Sequence, residues 1–220
     1  MKTTATLLLS LFVNSVCYSQ TSSKETIENY RLLNVGYISI PTIMEIQSGN
    51  YKKNAERVQK EAGKVFGYEV SDNRVVFQQK GLNNMEQSGF ATYARVILET
   101  DIGNFGDYEK ITTKFTATAS ELVEFSNEIK SQLLQSFSGT QLKLITWYGV
   151  STVTINARTA VKISYLRQAA DNPYVVVNIY RFQNNDRMHS LTLSYRQSDE
   201  VTWKPLFTNI LSSFTITNVR

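Results

Sequence analysis

The side chains of this 220-residue chain that could do chemistry are few. The sequence holds one histidine, His189, and one cysteine, Cys17. A multi-cysteine zinc site and a disulfide scaffold are therefore excluded, and His189 is the only imidazole base available. It falls on the same side of a strand pattern as Leu191 and Leu193, so we expect a buried structural histidine. Since no nucleophile elbow, HExxH motif, P-loop or GxGxxG loop occurs, we expect no catalytic residue and no resident cofactor.

One short segment has the composition of a cation site. Positions 101–109 carry oxygen-bearing side chains and two glycines, and hard cations such as calcium bind side chains of this kind. The candidate ligands are Asp101, Asn104, Asp107 and Glu109. Their spacing differs from the EF-hand pattern, and polar loops that contain glycine are common between strands and helices. The segment is interpreted as an ordinary loop, with a calcium site as the alternative.

The first twenty residues have the pattern of a secretory signal peptide. Lys2 precedes a short apolar run, and small or polar residues follow it. We expect cleavage between Ser19 and Gln20, which removes Cys17 and lowers the net charge of +4 by one. The apolar run is shorter than the ~20 residues of a membrane span, and a membrane anchor or a buried first strand fits the polar exit less well. Lipidation of Cys17 is a further alternative, although Val16 differs from the small residue that lipoprotein processing prefers.

The composition supports one globular domain with a sizeable core. Hydrophobic residues make up 42% of the chain, including 12 Tyr, 11 Phe and 2 Trp, whereas Gly and Pro are too few for a collagen-like or linker-dominated chain. We expect a flexible lead-in at 20–29 and a single domain over 30–220. The basic residues are scattered, so nucleic acid is not expected as a partner. The expected location is the periplasm or the outside of the cell, and the expected partner is an envelope protein or a small ligand, with no transmembrane segment after the leader is removed.

Alternating polar and apolar residues indicate a series of strands. The predicted strand segments are 37–40, 74–78, 91–100, 142–148, 151–155, 160–167, 174–182, 188–196 and 214–216. The side chains expected to share one face in the middle of this series are Val153, Ile155, Val161, Ile163 and Tyr165. Consecutive strands joined by short turns favour an antiparallel sheet.

Three segments have helical periodicity. The first covers 51–64, and the second follows a capping box from Thr118 to Glu121 and ends before Gly139. The third is predicted to begin near Thr202, which would place Pro205 in its first turn. Regular strand–helix–strand alternation is missing, which argues against a doubly wound fold. The order of elements predicts an α+β fold, an α/β/α sandwich with a central, mainly antiparallel sheet of about six or seven strands flanked by helices.

Both ends of the domain resemble the PsbP-like superfamily. The segment Ile38-Ser39-Ile40-Pro41, followed by Met44-Glu45-Ile46-Gln47, resembles that superfamily's opening strand, proline and glutamate. The C-terminal half is similar in its polar hairpin, acidic turn and last helix, and the residues concerned are Leu191-Thr192-Leu193-Ser194, Trp203 and Ser213-Phe214. The resemblance covers about 35–48 and 118–216. It implies an α/β/α sandwich around a central antiparallel sheet.

The superfamily includes PsbP, the extrinsic subunit of photosystem II, the Ran-binding Mog proteins, and exported bacterial proteins of unknown role. The resemblance implies an exported, non-enzymatic accessory or binding protein, and it transfers no binding residue to this chain. The alternative is an exported hydrolase whose Asp and Glu carboxylates come together on folding. A pocket with two close carboxylates would favour the hydrolase, whereas an exposed apolar surface would favour binding. The side chains Tyr180, Arg181 and Arg196 could form a recognition patch, or they could be the ordinary outward face of the sheet.

Overall fold

The computed structural model describes residues 26–32, 35–66, 74–102 and 117–217. Ten strands lie in these ranges: β1 (Ile27–Leu32), β2 (Gly36–Pro41), β3 (Met44–Ile46), β4 (Arg74–Gln79), β5 (Ala94–Ile102), β6 (Leu142–Ile155), β7 (Arg158–Ala169), β8 (Val175–Asn184), β9 (Arg187–Arg196) and β10 (Thr215–Ile216). The four α-helices are α1 (Gly49–Phe66), α2 (Gln87–Phe90), α3 (Ala119–Phe137) and α4 (Glu200–Ser213), and a 3-10 turn, Gln197–Asp199, precedes α4.

Seven of the strands form one sheet in the order β3-β4-β5-β9-β8-β7-β6. Every neighbouring pair in this sheet is antiparallel. Short turns join β6 to β7 and β8 to β9, as the close spacing of the alternating segments indicates. The prediction of a mainly antiparallel sheet of six or seven strands is confirmed.

A second, three-stranded sheet has the order β1-β2-β10 and is also antiparallel. Because β1 begins at Ile27, it occupies the end of the predicted flexible lead-in at 20–29. Its pairing with β2 explains this difference, since six Cα pairs tie the segment to the domain. The predicted cleavage site at Ser19 and Gln20 and the possible lipidation site at Cys17 lie outside the described residues and stay predictions.

The large sheet has a hydrophobic core on each face. One core lies under α4 and the small sheet, and its fully buried side chains include Phe77, Leu191 and Phe214. The other lies under α3, where Ile163 and Val177 are buried. Helices on opposite faces of a central sheet make the α/β/α sandwich that was predicted. No helix within the described ranges combines the length and the apolar character that a bilayer span requires.

The central hairpin differs from the prediction. Strand β6 is continuous through Gly149, and two β-bulges, between Leu144 and Thr146 and between Trp147 and Gly149, absorb the irregularity that suggested two strands. The turn residues Asn156 and Ala157 both have positive φ, 47° and 63°, as a type I′ hairpin requires.

This two-residue turn changes which side chains share a face. It pairs Val153 with Ala160, so odd-numbered residues before the turn lie with even-numbered residues after it. Val153 and Ile155 therefore pack in the core under α4, whereas Val161, Ile163 and Tyr165 pack under α3. The prediction that all five side chains share one face was wrong.

Helix α3 begins where its sequence predicts, whereas α4 begins earlier than predicted. Helix α3 starts at the predicted capping box, in which the Thr118 N–H donates to Glu121 Oε2 over 2.7 Å and the Glu121 N–H donates to Thr118 Oγ1 over 3.3 Å. Helix α4 begins at Glu200 rather than near Thr202, because the 3-10 turn already winds the chain before it. As a result, Pro205 lies inside the helix, on its exposed side.

Candidate functional site

A trough runs beside α4 on the face of the large sheet that is opposite α3. It consists of two adjoining hollows of about 350 Å³ and about 340 Å³, and Lys162, Tyr180 and Leu211 line both of them. We call this feature the α4 trough. Its first half is lined by Tyr148, Lys162, Val176, Asn178, Tyr180, Leu193, Tyr195, Gln197, Glu200, Lys204, Phe207, Thr208 and Leu211, and its second half by Val153, Thr154, Ile155, Asn156, Lys162, Tyr180, Leu211 and Ser212.

The trough exists because α4 covers only part of the sheet. The buried side chains of Trp203, Phe207 and Ile210 hold the helix in the core, against β2 and β9. The sheet continues beyond β9 through β8, β7 and β6, so the space beside the helix above these strands stays open. Side chains that point to this face from the three strands therefore form the floor and the outer wall.

Two tyrosines in the floor have hydroxyl groups without a protein partner. Tyr180 and Tyr195 are only 8% and 5% exposed, yet neither hydroxyl makes a hydrogen bond to any residue that the structure describes. The rings are buried, but the hydroxyl oxygens open into the trough, since neither is among the fully buried polar atoms without a partner in the described residues. Burial raises the pKa of both phenols, that of Tyr195 to about 12 with help from Glu200 and Tyr148. Both hydroxyls are consequently protonated at neutral pH and can donate.

The charged groups of the trough are unevenly paired. At one end, Lys204 Nζ lies 2.6 Å from Glu200 Oε1, in a salt bridge between residues one helical turn apart. At the centre, Lys162 Nζ lies 6.0 Å from the centroid of the Tyr180 ring, and no described carboxylate lies within 4.0 Å of it. Lys162 therefore offers a cation to whatever occupies the trough.

The amide of Asn178 adds another donor. Its Oδ1 accepts a hydrogen bond of 2.7 Å from Ser164 Oγ, which orients the amide. Its NH₂ group makes no hydrogen bond to a residue in the described part of the chain. Together with Lys162, Tyr180 and Tyr195, Asn178 makes the central part of the trough rich in hydrogen-bond donors.

His189 is the buried structural histidine that was expected, and it does not line the trough. It is 0% exposed, its Nδ1 lies 2.9 Å from Thr100 Oγ1, and its Nε2 lies 3.0 Å from Asn184 Nδ2. Burial lowers the pKa of the imidazole to about 4, and the cations Arg187 and Arg158 contribute to the shift. Both ring nitrogens are engaged in the interior, so His189 is not placed to act on a bound ligand.

The calcium alternative rests on residues that the structure describes only in part. Asp101 lies in β5 and is exposed, whereas Asn104, Asp107 and Glu109 lie outside the described residues. Within the described ranges, no group of three or more His, Cys, Asp or Glu side chains is close enough to hold a metal ion. Calcium binding at 101–109 stays a prediction.

The three side chains considered as a recognition patch do not form one. Tyr180 is buried on the α4 face of β8, and Arg181, the next residue along the same strand, is exposed on the opposite face. Arg196 is half-buried, and its Nη1 donates to the Ala91 carbonyl over 2.8 Å. The alternation of a strand separates the first two, and the hydrogen bond to the backbone gives the third a structural role.

The hydrolase alternative requires two carboxylates in one cleft. The lining of the α4 trough contains one, Glu200, which Lys204 already pairs. The trough was not predicted from the sequence because six elements contribute to it: β6, β7, β8, β9, the 3-10 turn and α4. A signal was nevertheless present in the sequence, since Lys162 and Asn178 interrupt the apolar series on the core side of two neighbouring strands.

Comparison with known proteins gives structural likeness only. No family model matches the chain, and no curated protein matches it. Among solved structures, the cyanobacterial PsbP of Synechocystis sp. PCC 6803 is similar over 90% of this chain and 96% of its own, with 14% identity and a TM-score of 0.48. A protein of unknown function from Pseudomonas aeruginosa, described as a putative regulator, is similar over 88% of this chain and 99% of its own, with 12% identity and a TM-score of 0.44. The first of these is a PsbP protein, the family that the sequence resembles, and the fold class of this chain rests on its own strand order and pairing.

Proposed function

We propose that this protein is an exported, non-enzymatic binding protein that takes an elongated ligand into the α4 trough. The observation that carries the proposal is the set of unpaired donors that open into the trough, namely the hydroxyls of the largely buried Tyr180 and Tyr195 side chains and the ammonium of Lys162. Because these groups open into the trough and have no partner within the described residues, a ligand that reaches them can accept their hydrogen bonds. Water can serve these donors in the free protein, and a ligand can replace that water.

The dimensions of the trough suit a linear ligand. Along α4 its lining residues run from Glu200 to Ser212, which at 1.5 Å per residue are about 18 Å apart along the helix axis. Apolar side chains line each half: Val176 and Phe207 in the first, Val153 and Ile155 in the second. A ligand with apolar parts and a polar group near its middle matches this arrangement.

Export is the second part of the proposal and is supported by the leader. Lys2, the short apolar run and the polar exit before Gln20 have the features of a cleaved signal peptide. N-terminal sequencing and intact-mass measurement of the protein from its own cells test this part. A mature chain that starts at Gln20 without acyl groups would support it, and an uncleaved chain would refute it. An acylated Cys17 would refute cleavage at Gln20 and indicate an exported lipoprotein instead.

Equilibrium dialysis against a small-molecule extract of the native cells tests binding. The blocking variant is Thr208→Trp, because Thr208 is an exposed residue of α4 that lines the trough. The matched control is Thr202→Trp, which adds the same ring at an exposed position of α4 outside the lining. We expect compounds that the wild type and the control retain and the blocked variant loses. Equal retention by all three proteins, or none by any, would contradict the proposal.

A further inference from the structure

The donors of the α4 trough converge on the place where its two halves meet. Lys162 and Tyr180 line both halves, and they are directly opposite each other on β7 and β8. Asn178, which lines the first half, is the next residue along β8 that points to the same face. The ammonium of Lys162 and the free NH₂ group of Asn178 can only donate, so the ligand atoms that pair with these two groups must be acceptors.

The charge of the centre adds to this selectivity. Lys162 is half-buried, and its ammonium has no carboxylate partner in the described part of the chain. The one carboxylate of the lining, Glu200, is 2.6 Å from Lys204 at the end of the trough, so it does not neutralise the centre. A partly buried cation attracts an anion more strongly than an exposed cation does, because solvent screens the partly buried charge less.

Lys162 is also accessible from the open side of the sheet. Its cross-strand partner on β6 is Ser151, which is exposed and small. Since directly opposite residues of an antiparallel pair share a face, Ser151 is the residue that stands between Lys162 and the sheet edge. A serine at this position leaves room for a ligand group to reach the ammonium.

We infer that the α4 trough binds an organic carboxylate with an apolar substituent. The carboxylate accepts hydrogen bonds from Lys162 Nζ and the Tyr180 hydroxyl where the two halves meet, and the apolar part lies along one half. This inference rests on the proposed function and narrows it to one class of ligand. A carboxylate fits the centre because it has acceptors only, and the apolar lining on both sides favours a substituent without further charges.

Isothermal titration with a matched pair of probes tests the inference. The probes are 4-phenylbutyrate and its neutral amide, 4-phenylbutanamide, which differ only in the group that Lys162 would bind. We expect one site per chain for the acid and at least a tenfold lower affinity for the amide, which corresponds to about 1.4 kcal/mol.

Variants make the test specific for the trough. Lys162→Gln is expected to weaken binding of the acid about tenfold, Lys162→Arg to retain most of it, and Tyr180→Phe to weaken it about threefold, as the loss of one neutral hydrogen bond does. The matched control is Lys130→Gln, which removes the same charge from α3 on the other face of the sheet. It should bind the acid as the wild type does, and the melting temperature of each variant shows that it is folded.

The outcomes separate the inference from the proposed function. Equal affinity for acid and amide, or an undiminished affinity in Lys162→Gln, would overturn the carboxylate inference and leave the trough as a binding site. No binding of the acid, combined with compounds retained by the trough in the dialysis experiment, would also overturn the inference alone. No binding in either experiment would overturn both.

Discussion

At the scale of single residues, position in the sheet decides the role of each polar side chain. His189, Lys162 and Asn178 all occupy core-facing positions of strands under the α4 side of the sheet. His189 finds partners for both ring nitrogens and is structural. Lys162 and the NH₂ group of Asn178 have none in the described residues, and they lie where the covering helix leaves the sheet open. The same kind of position therefore gives a buried network in one place and the lining of an open trough in another.

His189 makes the stability of the fold depend on pH. Asn184 Nδ2 donates to its Nε2, so the imidazole must be neutral with its proton on Nδ1, and a second proton would set two donors against each other. The unfolded chain binds that proton near pH 6.5, and the folded chain binds it only near pH 4. Keeping His189 neutral therefore adds fully to the free energy of unfolding above pH 6.5. Up to about 3 kcal/mol of that stabilisation is lost as the pH falls to 4.

Urea unfolding of the wild type and of His189→Gln between pH 7.5 and 4 measures the effect. His189 is the only histidine of the chain, so between pH 6.5 and 5 the variant should lose much less stability than the wild type. Carboxylates titrate in both proteins, and their contribution cancels in the difference between the two curves. Identical pH dependence of the two proteins in that interval would show that His189 does not act in this way.

At the scale of elements, what could be predicted from the sequence was local. The capping box at Thr118 and Glu121 is a pattern over four residues, and α3 begins where that pattern places it. The face of each strand after the Asn156-Ala157 turn depends on how the turn pairs β6 with β7, which periodicity within one strand does not contain. The three-stranded sheet depends on contacts between β2 and strands near both ends of the described chain.

The trough could be predicted even less, because it is a gap between elements rather than a motif. Its side chains come from β6, β7, β8, β9, the 3-10 turn and α4, and in each element they look like ordinary members of an alternating or helical pattern. The exceptions are Lys162 and Asn178. These two polar residues at core-facing positions are the local sequence signal that indicates a trough. The packing of α4 against β2 and β9 determines how much of the sheet the helix covers.

The capping box should contribute measurably to stability. Thr118→Ala removes the hydroxyl that accepts from the Glu121 N–H, and we expect a loss of about 1 kcal/mol in the free energy of unfolding. Urea unfolding measures it. As a control, Ser131→Ala removes a hydroxyl from an exposed position inside α3 and should not destabilise the protein, since alanine has the higher helix propensity. A loss no larger for Thr118→Ala than for the control would contradict the role assigned to the cap.

Gly36 allows β10 to approach β2. A Cβ at this position would lie 1.8 Å from the carbonyl oxygen of Thr215, and because that atom belongs to the backbone the strand itself would have to move. We expect Gly36→Ala to destabilise the protein by about 1–3 kcal/mol, the usual cost of overpacking. It should also speed hydrogen exchange at the Thr217 N–H, which donates to the Val35 carbonyl over 2.7 Å.

Nuclear magnetic resonance follows that exchange, with Tyr37→Ala as the control. Tyr37 is the next residue on β2 and is 50% exposed, so its truncation should leave exchange at Thr217 close to that of the wild type. Equal exchange rates in the wild type and Gly36→Ala would mean that the approach of β10 to β2 does not require glycine at position 36.

At the scale of the whole molecule, the two faces of the large sheet are covered to different extents. The face under α3 is closed by a helix whose apolar side chains Ile129, Leu133 and Phe137 pack on the sheet. The face under α4 and the small sheet is closed at one side and open above β6, β7 and β8. We propose that the first face supports the fold and that the second receives the ligand.

The central claim is that the α4 trough is where this protein binds its ligand. Amide correlation spectra of the mature domain, recorded during a titration with 4-phenylbutyrate, test it most directly because they report the position of binding. The account predicts shifts confined to the α4 face, in the segments 160–164, 176–180, 193–195 and 204–211. Shifts centred on α3 and the opposite face of the sheet would contradict it.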